Sequence, residues 1–207
     1  MNLATNLEWS AFFFPERPAA SEGASETSYA QLNEKANRVA TALMSLGVKP
    51  GDHVALCAPN SGDWLVFYFG ALKAGAVAVA LSSMLSKDEL VLLIDHSQPR
   101  IIYTEDERLD ALAQFKGSGG LENIISPRGD LDLQQFMAKG SPSFRALDRG
   151  RSDTAAILYT GGTTGTPKGV MLTHENINTS AHNVAFSERS TEADRALCFL
   201  PFNHVFG

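Results

Sequence analysis

Hydrophobic and polar positions alternate along the chain in blocks whose spacing separates helices from strands. Between Leu32 and Leu46 the apolar residues recur every three or four positions, which predicts an amphipathic helix. The run His53–Cys57 is continuously apolar after its first residue and follows a Pro-Gly turn, a pattern typical of a buried strand. The alternation of helix and buried strand continues, with further strands predicted at 76–81, 100–104 and 123–126.

Three helix starts carry a local signal. Ser28 with Gln31, and Ser86 with Glu89, have the capping-box pattern, in which each residue can bond the other's backbone N–H. Another helix is predicted to begin at Thr173 and to end near Ser187.

This order of elements predicts an α/β fold with a doubly wound, mostly parallel sheet and helices on both faces. Two later strands are predicted, at 170–172 and 196–200, and residues 127–152 are interpreted as connecting surface with a short helical turn. Ligands of such folds bind beyond the carboxyl ends of the strands.

Composition narrows the function classes. At 207 residues and 44% hydrophobic, the chain can bury a sizeable core, and its net charge of −6 argues against a nucleic-acid or anionic-membrane surface. It has neither a signal-peptide pattern nor an apolar run of the roughly 18 residues that a membrane helix needs. Cys57 and Cys198 lie in apolar runs without metal-ligand spacing, which predicts buried, reduced thiols in a cytoplasmic protein.

The N-terminal aromatic residues leave two interpretations open. Trp9 and the run Phe12-Phe13-Phe14 are expected to cover part of the core, and the alternative is a hydrophobic surface for a partner.

A glycine- and threonine-rich segment carries the clearest chemical signal. It follows the apolar run 155–159 and consists of Thr160, Gly161, Gly162, Thr163, Thr164, Gly165, Thr166, Pro167 and Lys168. The glycines allow a ligand to approach the backbone, the hydroxyls and N–H groups donate hydrogen bonds, and the lysine adds a positive charge. This composition favours a phosphate-binding loop over a solvated surface loop. The P-loop of NTPases is excluded because Pro167 precedes the lysine and Gly169 follows it.

Residues 159–170, followed by Thr173, His174 and Asn176, resemble the phosphate-binding signature of the adenylate-forming enzymes. These include acyl-CoA synthetases, firefly-type luciferases and peptide-synthetase adenylation domains. The chain departs from the usual signature at Gly161, where serine or threonine is common. Residues 200–207, Leu-Pro-Phe-Asn-His-Val-Phe-Gly, resemble a second family segment, whose histidine lies by the substrate carboxylate. His174 and Asn176 fit equally well as the first turn of a helix capped by Thr173.

The resemblance implies a two-step ligase that uses ATP and Mg²⁺. A small-molecule carboxylic acid is first converted to an acyl-adenylate, and a thiol, usually that of coenzyme A, then takes the acyl group. Residues 160–168 are expected to contact the β- and γ-phosphates, and His204 is expected near the acid. No catalytic residue and no metal ligand is assigned within this chain. General similarity to fatty-acyl-CoA synthetases favours a fatty or other apolar acid.

Members of the family are usually more than twice as long as this chain. Residues 1–207 are therefore interpreted as the N-terminal portion of the adenylate-forming domain, truncated and without the C-terminal domain. The isolated chain is expected to make no acyl-CoA and to bind ATP weakly. Two alternatives stay open: an adenylation domain that loads a carrier protein, and a non-catalytic interaction module that forms a homodimer through its aromatic N-terminus.

Overall fold

A computed structural model describes residues 1–116, 120–160 and 167–204. The helices are α1 Thr5–Phe13, α2 Tyr29–Ser45, α3 Gly62–Lys73, α4 Lys87–Ser97, α5 Leu109–Leu112, α6 Leu133–Ala138 and α7 His174–Ser187. The strands are β1 Pro18–Glu22, β2 Ser25–Ser28, β3 His53–Cys57, β4 Val77–Ala80, β5 Ile101–Thr104, β6 Asn123–Ile125, β7 Thr154–Thr160 and β8 Lys168–Thr173. Short 3₁₀ turns flank α5.

The main sheet has six strands in the order β6-β5-β3-β4-β7-β8, and β1 and β2 form a separate antiparallel pair. Every neighbouring pair from β6 to β7 is parallel, whereas β8 returns antiparallel to β7. The predicted mostly parallel, doubly wound sheet is therefore confirmed.

Side chains of the central strands point alternately into two cores, as the period of two along a strand requires. Leu56 packs with α2, α3 and α6 on one face, and Cys57 packs with α4 and α5 on the other. Because helices cover both faces, β3 and β4 are almost continuously apolar.

The predicted helix starts are confirmed. Ser28 and Gln31 form a complete capping box at α2, and Ser86 and Glu89 form one at α4. Each box satisfies backbone N–H groups that have no partner within the helix, which fixes where these helices begin.

The predicted strand at 196–200 is wrong. This segment has no regular structure, and Leu197 and Phe199 are 88% and 79% exposed. The run has strand-forming composition, but among the described residues it pairs with no strand, and an apolar run without a partner does not form a ladder. Cys198, which was predicted to be buried, is consequently exposed, whereas Cys57 is buried as expected.

The expectation that the N-terminal aromatic residues cover the core is also wrong. They lie on and just after α1, a helix that the sequence did not predict, and the side chain of Phe12 is 76% exposed. Leu3, Ala4 and Leu7 are the buried contacts of this segment instead. We call the exposed group, Trp9, Phe12, Phe13 and Phe14, the aromatic surface.

Candidate functional site

The predicted phosphate-binding segment joins two paired strands. In the β7–β8 ladder Thr160 lies opposite Lys168, so the two ends of the segment are held across one strand spacing, about 4.8 Å. Both residues are exposed. The predicted contacts Gly161, Gly162, Thr163, Thr164, Gly165 and Thr166 lie outside the described residues. Pro167 is half-buried beside the lysine.

Close packing against β7 explains why a glycine follows the lysine at position 169. A Cβ atom at this position would lie 3.0 Å from the Ile157 side chain and 3.4 Å from the ring of Tyr159. Glycine therefore lets these side chains of β7 lie against the backbone of β8, directly beside the phosphate segment.

Tyr159 ties the end of β7 to α4. Its hydroxyl lies 2.7 Å from Nδ1 of His96, and the two rings meet edge to face. Burial raises the pKa of Tyr159, so the phenol stays protonated near neutral pH. This bond braces the strand that leads into the predicted phosphate-binding segment.

The topology of the sheet predicts a ligand crevice at the carboxyl ends of β3 and β4, where consecutive connections diverge. The chain leaves β3 toward α3 on one face of the sheet and leaves β4 toward α4 on the opposite face. Diverging loops of this kind open the cleft in which doubly wound sheets bind ligands. Since β4 separates β3 from β7, the ends of β3 and β7 lie about 10 Å apart at this edge.

The segment that carries His204 is attached at the same edge. Nδ2 of Asn60, in the loop after β3, donates to the carbonyl of Leu200 (2.7 Å), and its Oδ1 accepts from the N–H of Phe202 (2.8 Å). The ring of Phe202 packs on Trp64 of α3. His204 lies exposed at the end of a turn that begins at Pro201. The structure thus places Thr160, Lys168 and His204 at one edge of the sheet.

His174 lies away from this edge. Thr173 pairs with Thr154, at the amino end of β7, so the first residue of α7 lies at the opposite end of the hairpin from Lys168. His174 is fully buried, and its Nδ1 accepts from the N–H of Leu3 (3.0 Å). Asn176 therefore serves the helix start, where it completes a capping box with Thr173, whereas His174 holds the N-terminal segment through Leu3.

Sequence reasoning missed Asn60 and Trp64. The neighbouring Ser61 has a local role, since it caps α3 by accepting from the N–H of Trp64. No local pattern indicates that Asn60 contacts residues 140 and 142 positions further along the chain.

Among the residues that the structure describes, no helix combines the length and the apolar character needed to cross a bilayer. Nor do these residues contain a group of three or more histidine, cysteine, aspartate or glutamate side chains arranged to hold a metal ion.

Comparisons with known proteins agree with the two sequence motifs. The family model described as "AMP-binding enzyme" matches residues 7–207. A long-chain-fatty-acid–CoA ligase, FadD13 of Mycobacterium tuberculosis, is 36% identical over 182 residues, which cover 86% of this chain and 36% of the relative. A feruloyl-CoA synthase of Amycolatopsis is 33% identical over 191 residues, 92% of this chain and 37% of the relative.

Solved structures of MatB from Rhodopseudomonas palustris have the same fold. The apo form superposes with a TM-score of 0.90 at 33% identity and covers all of this chain and 42% of that one. The ATP-bound form gives a TM-score of 0.83 at 33% identity, over 99% of this chain and 41% of that one. The chain thus spans about two fifths of the length of these relatives. The resemblance to adenylate-forming enzymes is confirmed, and the chain belongs to the family of AMP-binding enzymes.

Proposed function

We propose that the whole protein activates a carboxylic acid with ATP, through an acyl-adenylate and pyrophosphate, and then transfers the acyl group to the thiol of coenzyme A. The observation that carries this proposal is the β7–β8 hairpin, whose paired ends present Thr160 and Lys168 beside the crevice. ATP bound to a relative of the same fold supports it.

The chemistry of the hairpin suits the tail of a nucleotide. Pyrophosphate carries several negative charges as it leaves, and donors fixed before the reaction stabilise that charge without reorganising. Thr160, at the end of β7, offers a hydroxyl, and Lys168, at the start of β8, offers an ammonium group on a flexible side chain. The two strands, which flank the segment, pair with each other and hold both residues in place. Mg²⁺, when bound with the nucleotide, would supply positive charge that stabilises the leaving pyrophosphate.

We further propose an apolar acid of the fatty type as the substrate class.

 Of the relatives described above, the long-chain-fatty-acid–CoA ligase supports this substrate class. His204, exposed at the carboxyl edge of the sheet, is the residue that we assign to the neighbourhood of that carboxylate.

Nucleotide binding tests the hairpin directly. Lys168→Ala removes a charge-assisted contact worth about 1.5–3 kcal/mol, so we expect the affinity for MgATP to fall roughly 10- to 100-fold. Isothermal titration calorimetry of the 207-residue chain measures this affinity. Lys139→Ala, at the exposed C-terminal cap of α6, is the matched control and should leave the binding unchanged.

Equal affinity in the wild type and in Lys168→Ala would contradict the assignment of the phosphate site. Pyrophosphate release with MgATP and a series of carboxylic acids gives the second readout. Because this chain covers about two fifths of its relatives' length, we expect weak ATP binding and no acyl-CoA from it alone. Turnover at the rate of an ordinary ligase would refute that expectation.

The aromatic surface favours a second candidate function, a non-catalytic module that forms homodimers. Its four exposed aromatic side chains lie close together in sequence and in space, with Trp9 stacked on Phe13 and Phe12 edge-on to Phe13. Exposed apolar groups of this kind commonly mark interaction sites. Light scattering with the double variant Trp9→Ser/Phe12→Ser tests it, with Met84→Ser, an exposed apolar residue elsewhere, as the control.

A dimer that is indifferent to nucleotide and dissociates in the double variant would support the module. A monomer whose MgATP binding depends on Lys168 would support the ligase. A carrier-protein thiol is the alternative acceptor, and it is distinguished by supplying a phosphopantetheine-bearing carrier in place of coenzyme A.

We also propose a cytoplasmic location, which the thiols of Cys57 and Cys198, both without a disulfide, support.

A further inference from the structure

We propose that Asn60 is a positioning residue, which holds the turn that ends at His204 against the crevice at the carboxyl edge of the sheet. The inference deepens the proposed function, because it rests on the assignment of His204 to the substrate carboxylate. Asn60 is not part of either sequence motif, and the contacts that it makes are what assign it this role.

The first argument is the two-point geometry of the side chain. Its amide donates to the carbonyl of Leu200 over 2.7 Å and accepts from the N–H of Phe202 over 2.8 Å. These two backbone groups flank Pro201, which has no N–H of its own to contribute. A carboxamide has one donor end and one acceptor end, so it satisfies both groups at once and fixes the orientation of the backbone between them.

The second argument is the short, bonded connection from this attachment to His204. The N–H of His204 donates to the carbonyl of Pro201 over 2.9 Å, which closes a four-residue turn. Phe202, held by Asn60, is the second residue of that turn. A change at Asn60 is therefore transmitted to His204 through one turn of backbone.

The third argument is the rigid base under the turn. Trp64 is 3% exposed, and its ring lies 5.1 Å from that of Phe202 and 5.1 Å from that of Tyr68. Its backbone N–H donates to Ser61, the N-cap of α3. The ring contact fixes how the turn lies on α3, and the amide of Asn60 fixes its position along the loop after β3.

Two substitutions separate the parts of the interaction. Asn60→Ala removes both bonds. Asn60→Asp keeps an oxygen that can accept from the N–H of Phe202 but replaces the donor to Leu200 by a second acceptor. Asn178→Ala is the matched control. Asn178 lies on α7, and its side chain accepts a hydrogen bond from the side chain of Asn6.

Hydrogen exchange and NMR of the 207-residue chain measure the result. In Asn60→Ala we expect the amide of Phe202 to exchange about tenfold faster, the factor that corresponds to one lost hydrogen bond, and the ring signals of His204 to shift. Asn60→Asp should restore most of the protection at Phe202. Exchange in β3 and the melting temperature report whether the fold itself has changed.

The proposal is overturned if Phe202 and His204 are unaffected in Asn60→Ala, or if Asn178→Ala affects them equally. Octanoate added with MgATP tests the proposed function separately. If the acid moves the His204 signals in the wild type and moves them less in Asn60→Ala, the positioning role is supported in full. If the acid leaves them unmoved in the wild type, the assignment of His204 to the substrate fails, while the exchange of Phe202 still decides whether Asn60 holds the turn.

Discussion

Buried polar side chains attach the N-terminal residues to the rest of the molecule. Lys73, fully buried at the end of α3, pairs with Glu8 of α1, and the same carboxylate accepts from the N–H of Ala146. Burial lowers the pKa of Lys73, and the neighbouring glutamate opposes that change. His174 accepts from Leu3 in the same region. Each contact places a polar group out of water, where losing its partner is costly.

His174 makes the stability of the protein depend on pH. Burial, together with the positive charges of Arg149 and the N-terminal ammonium, lowers its pKa from 6.5 to about 4, and Asp153 opposes this change. The unfolded chain binds the proton more readily, so this contribution is complete above pH 6.5 and is lost as the pH falls toward 4. We expect the free energy of unfolding to decrease by up to roughly 1.4 kcal/mol per pH unit across that window.

Urea unfolding of the wild type and of His174→Asn between pH 4 and 7 measures this dependence. Asparagine can still accept from Leu3 but does not titrate, so its profile should be flatter over the window. His182→Asn, at an exposed position of α7, is the control and should keep the wild-type slope. Identical slopes in the wild type and in His174→Asn would rule out His174 as the source.

At the scale of elements, α2 and α3 pack unusually closely at Gly70. A Cβ atom there would lie 2.4 Å from the Val39 side chain and 3.1 Å from the carbonyl of Ala36. Glycine lowers helix propensity, so its place within α3 has a packing reason rather than a local one.

Two glycines of the same helix give a matched test. Gly70→Ala gains about 1 kcal/mol of helix propensity but forces α2 and α3 apart, so we expect a net loss of about 1–3 kcal/mol in unfolding free energy. At Gly62 a Cβ meets its nearest neighbour at an ordinary 3.9 Å, so Gly62→Ala should be close to neutral. Denaturant unfolding of both variants checks the difference, and equal losses would contradict the packing argument.

Elements with a local signal could be predicted from the sequence. The apolar period of α2, the capping boxes at Ser28 and Ser86 and the helix cap at Thr173 each depend on neighbouring residues, and the structure confirms them. The segment 196–200 has strand-like composition, but a strand also needs a partner, which composition does not reveal. Helix α1 was not predicted, because its aromatic residues gave no amphipathic pattern and Leu7 is the buried residue within it.

At the scale of the whole molecule, burial falls from the centre of the sheet toward one side. Strands β3 and β4 are almost wholly buried, whereas β8 forms the edge of the described sheet and the buried residue of α7 is His174. Regions with few buried contacts open at lower free energy than core strands.

Native-state hydrogen exchange should follow this gradient. We expect the amides of β3 and β4 to exchange only through global unfolding, and those of the C-terminal half of α7 to exchange at least tenfold faster. Mass spectrometry after proteolysis gives sufficient resolution. Uniform protection across the sheet and α7 would show that the edge is more stable than its burial indicates.

Part of the candidate site could be predicted from neighbouring residues in the sequence, and part depends on contacts between distant residues. Residues 160–168 could be singled out because their chemistry lies in one continuous segment. The contacts of Asn60 could not, because the groups that it bonds are 140 and 142 positions away. Asn60 can bond to Leu200 and Phe202 only when the folded sheet places the loop after β3 next to that segment.

Because β8 pairs antiparallel with β7, the number of residues in β8 decides where the ammonium group of Lys168 lies. Thr173 is matched to Thr154 at one end of the ladder and Lys168 to Thr160 at the other. Inserting one residue within β8 would turn the ammonium group to the reverse side of the sheet, since successive side chains point in opposite directions. Inserting two would restore the side but displace the group by about 7 Å along the strand. Length polymorphism in this strand should therefore be tolerated far less than a change of side chain at its exposed positions.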